Sequence, residues 1–319
     1  MEFDVPVVLD MRDMWPDIFV DAVPRPVRPI ARLLLEPLFR QTRYACSHAT
    51  AIIGITDPFV AWGLTRGGRN RSALDRSFPL SHETILPDSS QLEEARKFWA
   101  RQNVSPDDPL ATICYFGNVN RQLDLSHIVE AARILHHRGI PVRFVLCGQG
   151  ERLQEYRHAA AALPNILFPG WVNQAQMATL MSDSLAGLDP LPRRYDFLAT
   201  INNKAIIYLS AGLPVISSPR TGILFDLLEH HRCGLSYDAS DAMGLADIAA
   251  HLVSDASAHA RMSANAVQLY RKQFSPEKIL DSIVAYLSQI VSSAPAANAT
   301  AEPSLVSFSR RFHLDENRT

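Results

Sequence analysis

The feature that most limits the fold is a rhythm that starts at residue 109. Short apolar runs, expected as strands at residues 110–115, 142–147, 166–168 and 185–188, alternate with amphipathic stretches expected as helices at 124–137, 151–162 and 174–182. The segment NNKAIIYLSAGLPVIS, residues 202–217, continues the pattern with one helix and one strand, followed by a helix at 222–230 and a strand at 235–237. Short apolar strands separated by amphipathic helices signify βαβ units and a parallel sheet, so the class is α/β with helices flanking the sheet. The punctuation agrees. Gly212 suits the left-handed position just past a helix end, and Pro214 cannot continue a helix, so the chain turns directly into the next strand.

The 319 residues are enough for two domains. Residues 1–90 are less regular: a buried strand at 5–9, a Pro/Arg-rich stretch, a helix near 30–43 and a strand at 51–55. A charged helix at 90–100 links the two regions. After the regular region, residues 276–291 form a long amphipathic helix, and the Ala/Pro/Asn/Ser-rich residues 292–319 have the composition of a disordered tail.

Composition removes several classes of function. Lys and Arg number 31 against 33 Asp and Glu, a balance that argues against a nucleic-acid partner. Cys46, Cys114, Cys147 and Cys233 are scattered, with no CxxC pair and no histidine at ligand spacing. They read as buried reduced thiols of a cytosolic protein, and no metal site is expected. No apolar run reaches the ~18 residues of a membrane span, and the first residues lack a signal-peptide layout.

In an open parallel sheet, ligands bind at the carboxyl ends of the strands, where helix N-termini present free N–H groups. Four turns qualify: Gly117-Asn118, Gly148-Gln149-Gly150, the loop 190–204, and Pro219-Arg220-Thr221-Gly222. One such turn alone is more often plain packing. Several on one sheet, with Arg121 and Lys204 beside them, favour a phosphate-bearing ligand. Neither GxGxxG nor GxxxxGK[ST] occurs, which disfavours a dinucleotide site or a P-loop.

Four blocks carry a family resemblance: FVLCGQGE, LPNILFPGWVNQAQMATLMSDSLAGLDPL, NNKAIIYLSAGLPVIS and CGLSYD, in that order. They resemble the C-terminal donor domain of family 4 glycosyltransferases of the GT-B fold, over residues 109 to about 270. VVLDMRDMWPD and ATAIIGITDPFVAW resemble a stretch midway through the first domain of bacterial surface-polysaccharide members. The resemblance implies two Rossmann-like domains, the N-terminal one lacking its first half. Residues 1–90 would then be a partial acceptor-side domain, 91–108 a linker and 109–275 the nucleotide-sugar donor domain. Residues 276–291 would be a crossover helix. The implied activity is retaining transfer of a sugar from a nucleotide donor, the substrate, to a glycan or lipid-linked acceptor, with no cofactor and no required metal.

Carried over by position, Gly117 and Asn118 lie near the donor diphosphate and Arg121 pairs with it. Gly148 and Gly150 border the nucleoside, with Val172 near the base, and Thr221 and Gly222 lie at a helix start facing the donor. Lys204 fills the family's N-K place. A cation at a helix start is disfavoured by ~0.3–1 kcal/mol, so it needs a partner: the donor, the carboxylate of Asp196, or solvent. Where the family carries a further lysine, Leu123-Asp124 stand, and its paired glutamates fall at Ala199 and Ile207. Asp226 or Glu229 are the acids that could replace them, Glu229 more readily reading as a solvated helix face. In the first domain, Asp10, Arg12, Asp13 and Trp15 would face the interdomain cleft. Asp13 is the catalytic candidate there, and an Arg12–Asp ion pair that merely orders a turn is the alternative.

Between these blocks, RPVRPIARLLLEPLFRQTRYA sets Arg25, Arg28, Arg32, Arg40 and Arg43 among apolar residues. Residues 25–44 can rest on an anionic leaflet, giving a cytoplasmic protein peripheral at the inner face of the membrane. The alternative is a core helix with solvated arginines. Two rival functions remain beside the transferase: a non-catalytic nucleotide-sugar-binding remnant, and a sugar-nucleotide epimerase.

Overall fold

The computed structural model describes residues 5–83 and 87–293. Two all-parallel sheets organise them. The first has three strands in spatial order β1 (Val8–Met11), β2 (Ala51–Gly54) and β3 (Arg76–Ser77). The second has six: β4 (Ala111–Phe116), β5 (Val142–Cys147), β6 (Ile166–Gly170), β7 (Ser184–Pro190), β8 (Val215–Ser218) and β9 (Gly234–Ser236). Their order is β6-β5-β4-β7-β8-β9. The chain therefore winds outward from β4 in one direction and then restarts at β7 in the other. The direction reverses between β4 and β7, the kind of switch point at which ligands of open parallel sheets bind.

Alternate residues of the larger sheet enter two separate cores, as the period of a strand requires. Ile113, Tyr115, Phe144, Leu146, Ala186 and Leu188 pack on one face, under the helices Ser126–His137 and Ala242–Ser254. Cys114, Phe116, Val145, Cys147 and Val215 pack on the other, with Tyr208 and Leu209 of the helix Asn203–Ser210. That helix ends at Gly212, whose φ is +72°, and Val215 starts the next strand.

The link between the regions is the helix Ser89–Arg101, opened by a capping box in which Asp88 accepts the Gln91 amide. The last helix, Pro276–Ser293, returns to the first sheet: Tyr286 and Ile290 pack on Ala51 and Ile53, and the Tyr286 hydroxyl donates to the Leu74 carbonyl at 2.8 Å. Two expectations shift. The first strand begins at Val8, with Val5 and Val7 left exposed. Ser292 and Ser293, expected in the tail, belong to the last helix; the rest of that expectation, residues 294–319, lies outside the described residues.

Candidate functional site

Pairing of β4 with β7 stops at Cys114 and Gly187. Beyond that point the strands part, and Tyr208 fills the gap. Its hydroxyl accepts the Phe116 N–H at 3.1 Å and donates to the Leu188 carbonyl at 3.3 Å. Its ring lies so close under the sheet that a Cβ at position 187 would sit 2.2 Å from it, so only glycine fits there.

Asp189 sits fully buried at the end of β7. The Asn202 amide donates to its Oδ2 at 2.6 Å, and the Lys204 Nζ lies 3.4 Å from its Oδ1. The same ammonium rests 5.2 Å from the centre of the Tyr115 ring. Lys204 therefore has a partner at its helix start, and that partner is Asp189. The expected alternative, Asp196, is engaged elsewhere: it receives both ends of the Arg194 guanidinium at 2.6 Å.

The glycine turns interlock at the rim. The Gly117 N–H donates to Cys147, the Val119 N–H to Gln149, and the Gly148 N–H to Gly170. A Cβ at position 148 would come 1.8 Å from the Gly117 oxygen, so glycine is required for the two loops to touch. These three amides are already spent on the protein itself. The exposed Asn118 N–H has no acceptor among the described residues, while its carbonyl accepts the Tyr115 hydroxyl at 2.9 Å. Burial above all, with the Asp189 charge second, holds that hydroxyl well above the usual phenol range.

The other expected residues divide by position. Arg121 is 86% exposed and pairs with Glu151, with Nε 3.3 Å from Oε1. Gly150 lies on the same rim, while the Val172 side chain is buried in the core of the second face. Any contact it makes to a ligand must use its backbone. Thr221 and Asp226 are exposed beside Gly222, the N-cap of the helix Ile223–His231. Glu229 is exposed on that helix too. Ile207 is half-buried, and Ala199 is buried with its carbonyl accepting the Thr56 hydroxyl at 2.6 Å. Neither of these two positions carries a charge to offer a ligand.

In the first region, Arg12 pairs with Asp10 at 2.7 Å, as the alternative reading of that stretch has it. Asp13 and Trp15 are exposed and help line a cleft of about 290 Å³ with Leu9, Met11, Cys46 and Trp62. Met11 and Met14 share a buried cluster with Ala199, so this stretch does border the junction with the larger sheet. A second cleft, of about 260 Å³, opens over the carboxyl ends of β7 and β8 between His127, Pro190, Arg193 and Ser218. His127 is buried there against the Tyr237 hydroxyl at 2.8 Å, and burial pushes its imidazole below its usual range. Nothing in the sequence pattern singles out Asp189, Asn202 or His127 beyond a polar residue breaking an apolar stretch. Among the described residues, no cluster of His, Cys, Asp or Glu is placed to hold a metal ion, and no helix is long and apolar enough to cross a membrane.

A parallel α/β architecture in two helix-flanked sheets, with the strand order reversing in the larger one and a last helix crossing back to the smaller, is that of the GT-B fold. Residues 111–255, the larger sheet and its helices, match the family model of the glycosyl transferases group 1. Among solved structures, the chain is similar to HepE of Anabaena in complex with UDP and glucose, with 16% identity and a TM-score of 0.65 over 89% of this chain and 72% of that one. It is similar also to the sucrose-phosphate synthase of Thermosynechococcus elongatus, with 18% identity and a TM-score of 0.66 over 89% and 68%. WaaG, a glycosyltransferase involved in lipopolysaccharide biosynthesis, aligns at 15% identity and a TM-score of 0.62 over 88% and 76%. No curated protein sequence matches the chain.

Proposed function

We propose that this protein is a retaining, family 4 type glycosyltransferase that takes a sugar from a nucleotide donor to a glycan or lipid-linked acceptor of a cell-surface polysaccharide. The observation that carries the donor half of this reading is the Lys204 ammonium held between Asp189 of β7 and Tyr115 of β4, where the strand order reverses, with the Gly117 and Gly148 loops pressed together beside it. Support comes from the match of residues 111–255 and from the UDP and glucose that HepE binds.

The chemistry assigned to this chain is electrostatic. As the bond from sugar to diphosphate breaks, negative charge grows on the leaving phosphate, and donors fixed in advance stabilise it without reorganising. Lys204 and the Asn118 N–H supply such donors, and Arg121 adds a mobile one from the surface. Gly150 and the Val172 backbone border the nucleoside, Thr221, Gly222 and Asp226 the sugar, and Asp13 faces the acceptor side. No cofactor and no metal enters this scheme.

One observation favours a second reading, donor binding without turnover. Ala199 and Ile207 stand where the family resemblance implies a pair of glutamates, and a lost charge-assisted hydrogen bond costs about 1.5–3 kcal/mol. Calorimetric titration of the full chain with UDP, GDP and dTDP and their glucose conjugates, followed by an assay of nucleoside diphosphate release with and without acceptor, separates the readings. Binding with release favours the transferase, and binding alone the second reading. Release without any acceptor points to an epimerase, and no binding to any member of the panel overturns the donor site itself.

The membrane contact belongs to the same proposal. Leu33 and Leu34 are each 75% exposed, with Val27 and Ile30 exposed beside them. Arg28 pairs with Asp21, while Arg40 and Arg43 share the single carboxylate of Glu36, so among the described residues Arg25, Arg32 and one of that pair are left uncompensated. Attachment should therefore be weak and should depend more on the leucines than on the five arginines. Co-sedimentation with phosphatidylglycerol vesicles that is unchanged when all five arginines become glutamine refutes an electrostatic contact.

A further inference from the structure

Asp189 is the one fully buried carboxylate at the site, and the transfer scheme above gives it no task. We propose that Asp189 is a positioning residue: it pins the Lys204 ammonium between the ends of β7 and β4, where that ammonium meets the donor's phosphate. The inference rests on the donor-site reading of Lys204.

A carboxylate without exposure loses several kcal/mol of hydration unless other groups replace the water. Asp189 receives one hydrogen bond, from Asn202 to Oδ2 at 2.6 Å. Its Oδ1 has none among the described residues, and Lys204 is the only cation there within ion-pair distance, at 3.4 Å. The phenols that feel the Asp189 charge cannot balance it, since a phenol is neutral or anionic. Tyr115, Tyr208 and Tyr237 are all pushed above their usual range, in each case first by burial and in part by Asp189 itself. The carboxylate is thus committed to one lysine.

The geometry fixes where that lysine can be. Asn202 is the N-cap of the helix that carries Lys204: its Oδ1 accepts the Ala205 N–H at 3.1 Å while its amide group holds Asp189. Strand end, cap and first helical turn are braced together. On the far side, the ammonium sits 5.2 Å from the centre of the Tyr115 ring, so it spans from β7 to β4. Its stem runs under the Gly117 turn, where a Cβ would lie 3.5 Å from Lys204 Cδ. An unbraced lysine would lose rotamer freedom on meeting a phosphate; this one has lost it already.

The test uses the full chain, with UDP, GDP and dTDP as probes and calorimetry as the readout, in a cycle of Asp189→Asn, Lys204→Met and the double variant. Asparagine keeps the shape and the contact to Asn202 while removing the charge. Asp189→Asn should weaken whichever diphosphate binds by about ten-fold, Lys204→Met by at least as much, and Asp189→Asn should add less than about two-fold once Lys204 is gone. In the absence of any nucleotide, Lys204→Met alone should lower Tm more than the double variant does, because it strands the buried carboxylate. If Asp189→Asn binds like the parent while Lys204→Met does not, the positioning role is refuted and the donor site stands. Equal losses from Asp189→Asn with and without Lys204 refute it too, leaving a purely structural aspartate. If the parent chain binds none of the three, the donor reading falls and this inference with it.

Discussion

In the six-stranded sheet both faces are covered by helices and each carries its own apolar core. The three-stranded sheet is held differently. β1 lies at an edge, Val5 and Val7 beside it are exposed, and its two apolar clusters are joined by one polar knot. There Asp75, buried at the end of a loop, accepts the N–H of Ile52 in β2 at 2.8 Å and that of Ser72 at 2.7 Å, and pairs with Arg69. Apolar packing on two faces makes a rigid rim, which suits a site whose donors must be fixed in advance. The smaller sheet, for all its apolar packing, leaves Val5 and Val7 exposed beside its edge strand.

If that contrast is right, the largest effect should come from the knot. Asp75→Ala leaves a buried N–H unpaired and breaks a part-buried ion pair, so it should lose about 3 kcal/mol. Hydrogen exchange should show protection falling in residues 5–83 more than in 111–255. Equal loss in both regions would break the comparison. The same group sets a pH dependence. Burial alone would raise the Asp75 carboxyl, but the Ser72 and Ile52 amides, the Ser72 hydroxyl and Arg69 hold it below its ordinary value of 3.8. Because the folded value is the lower one, its contribution is full well above pH 3.8 and is lost as pH falls through the folded value. Acid should therefore open the first region through this group, and Asp75→Asn should remove that step from an acid titration followed by hydrogen exchange.

Next in size is Gly187→Ala, which drives a methyl group into the Tyr208 ring. It should cost about 1–3 kcal/mol and be felt throughout 111–255, read as a lower urea midpoint with an unchanged slope. Smaller still, Leu33→Glu with Leu34→Glu should leave stability within about 0.5 kcal/mol, since both side chains are already in water, while vesicle binding falls. A large loss of stability would mean that this face is part of the core. Arg121→Ala should be the mildest for the fold, also within about 0.5 kcal/mol, because its pairing with Glu151 is exposed. Its donor affinity, measured by the same titration, sharpens whether the surface arginine or the braced lysine carries the phosphate.

Much of this could be read from the chain directly. The apolar rhythm after residue 109 placed all six strands of the larger sheet within a few residues, and Gly212 with Pro214 marked the helix-to-strand turn that the structure has. The glycine loops at 117 and 148 were expected at a strand rim and stand there in contact. Less legible was what each polar group touches. Lys204 turned to Asp189 rather than Asp196, and the Val172 side chain went into the core. The amides of Gly117 and Gly148 were consumed by neighbouring loops.

The sequence by itself determined the strands, the helices and the parallel class, because those follow from spacing among residues two to four apart and from glycine and proline acting where they stand. Which carboxylate faces Lys204, and which amides remain open at the rim, was decided by strand order. Only when β7 returns to lie beside β4 do Asp189, Tyr115 and Lys204 come together. No local pattern encodes that meeting, since it depends on how the whole sheet is wound.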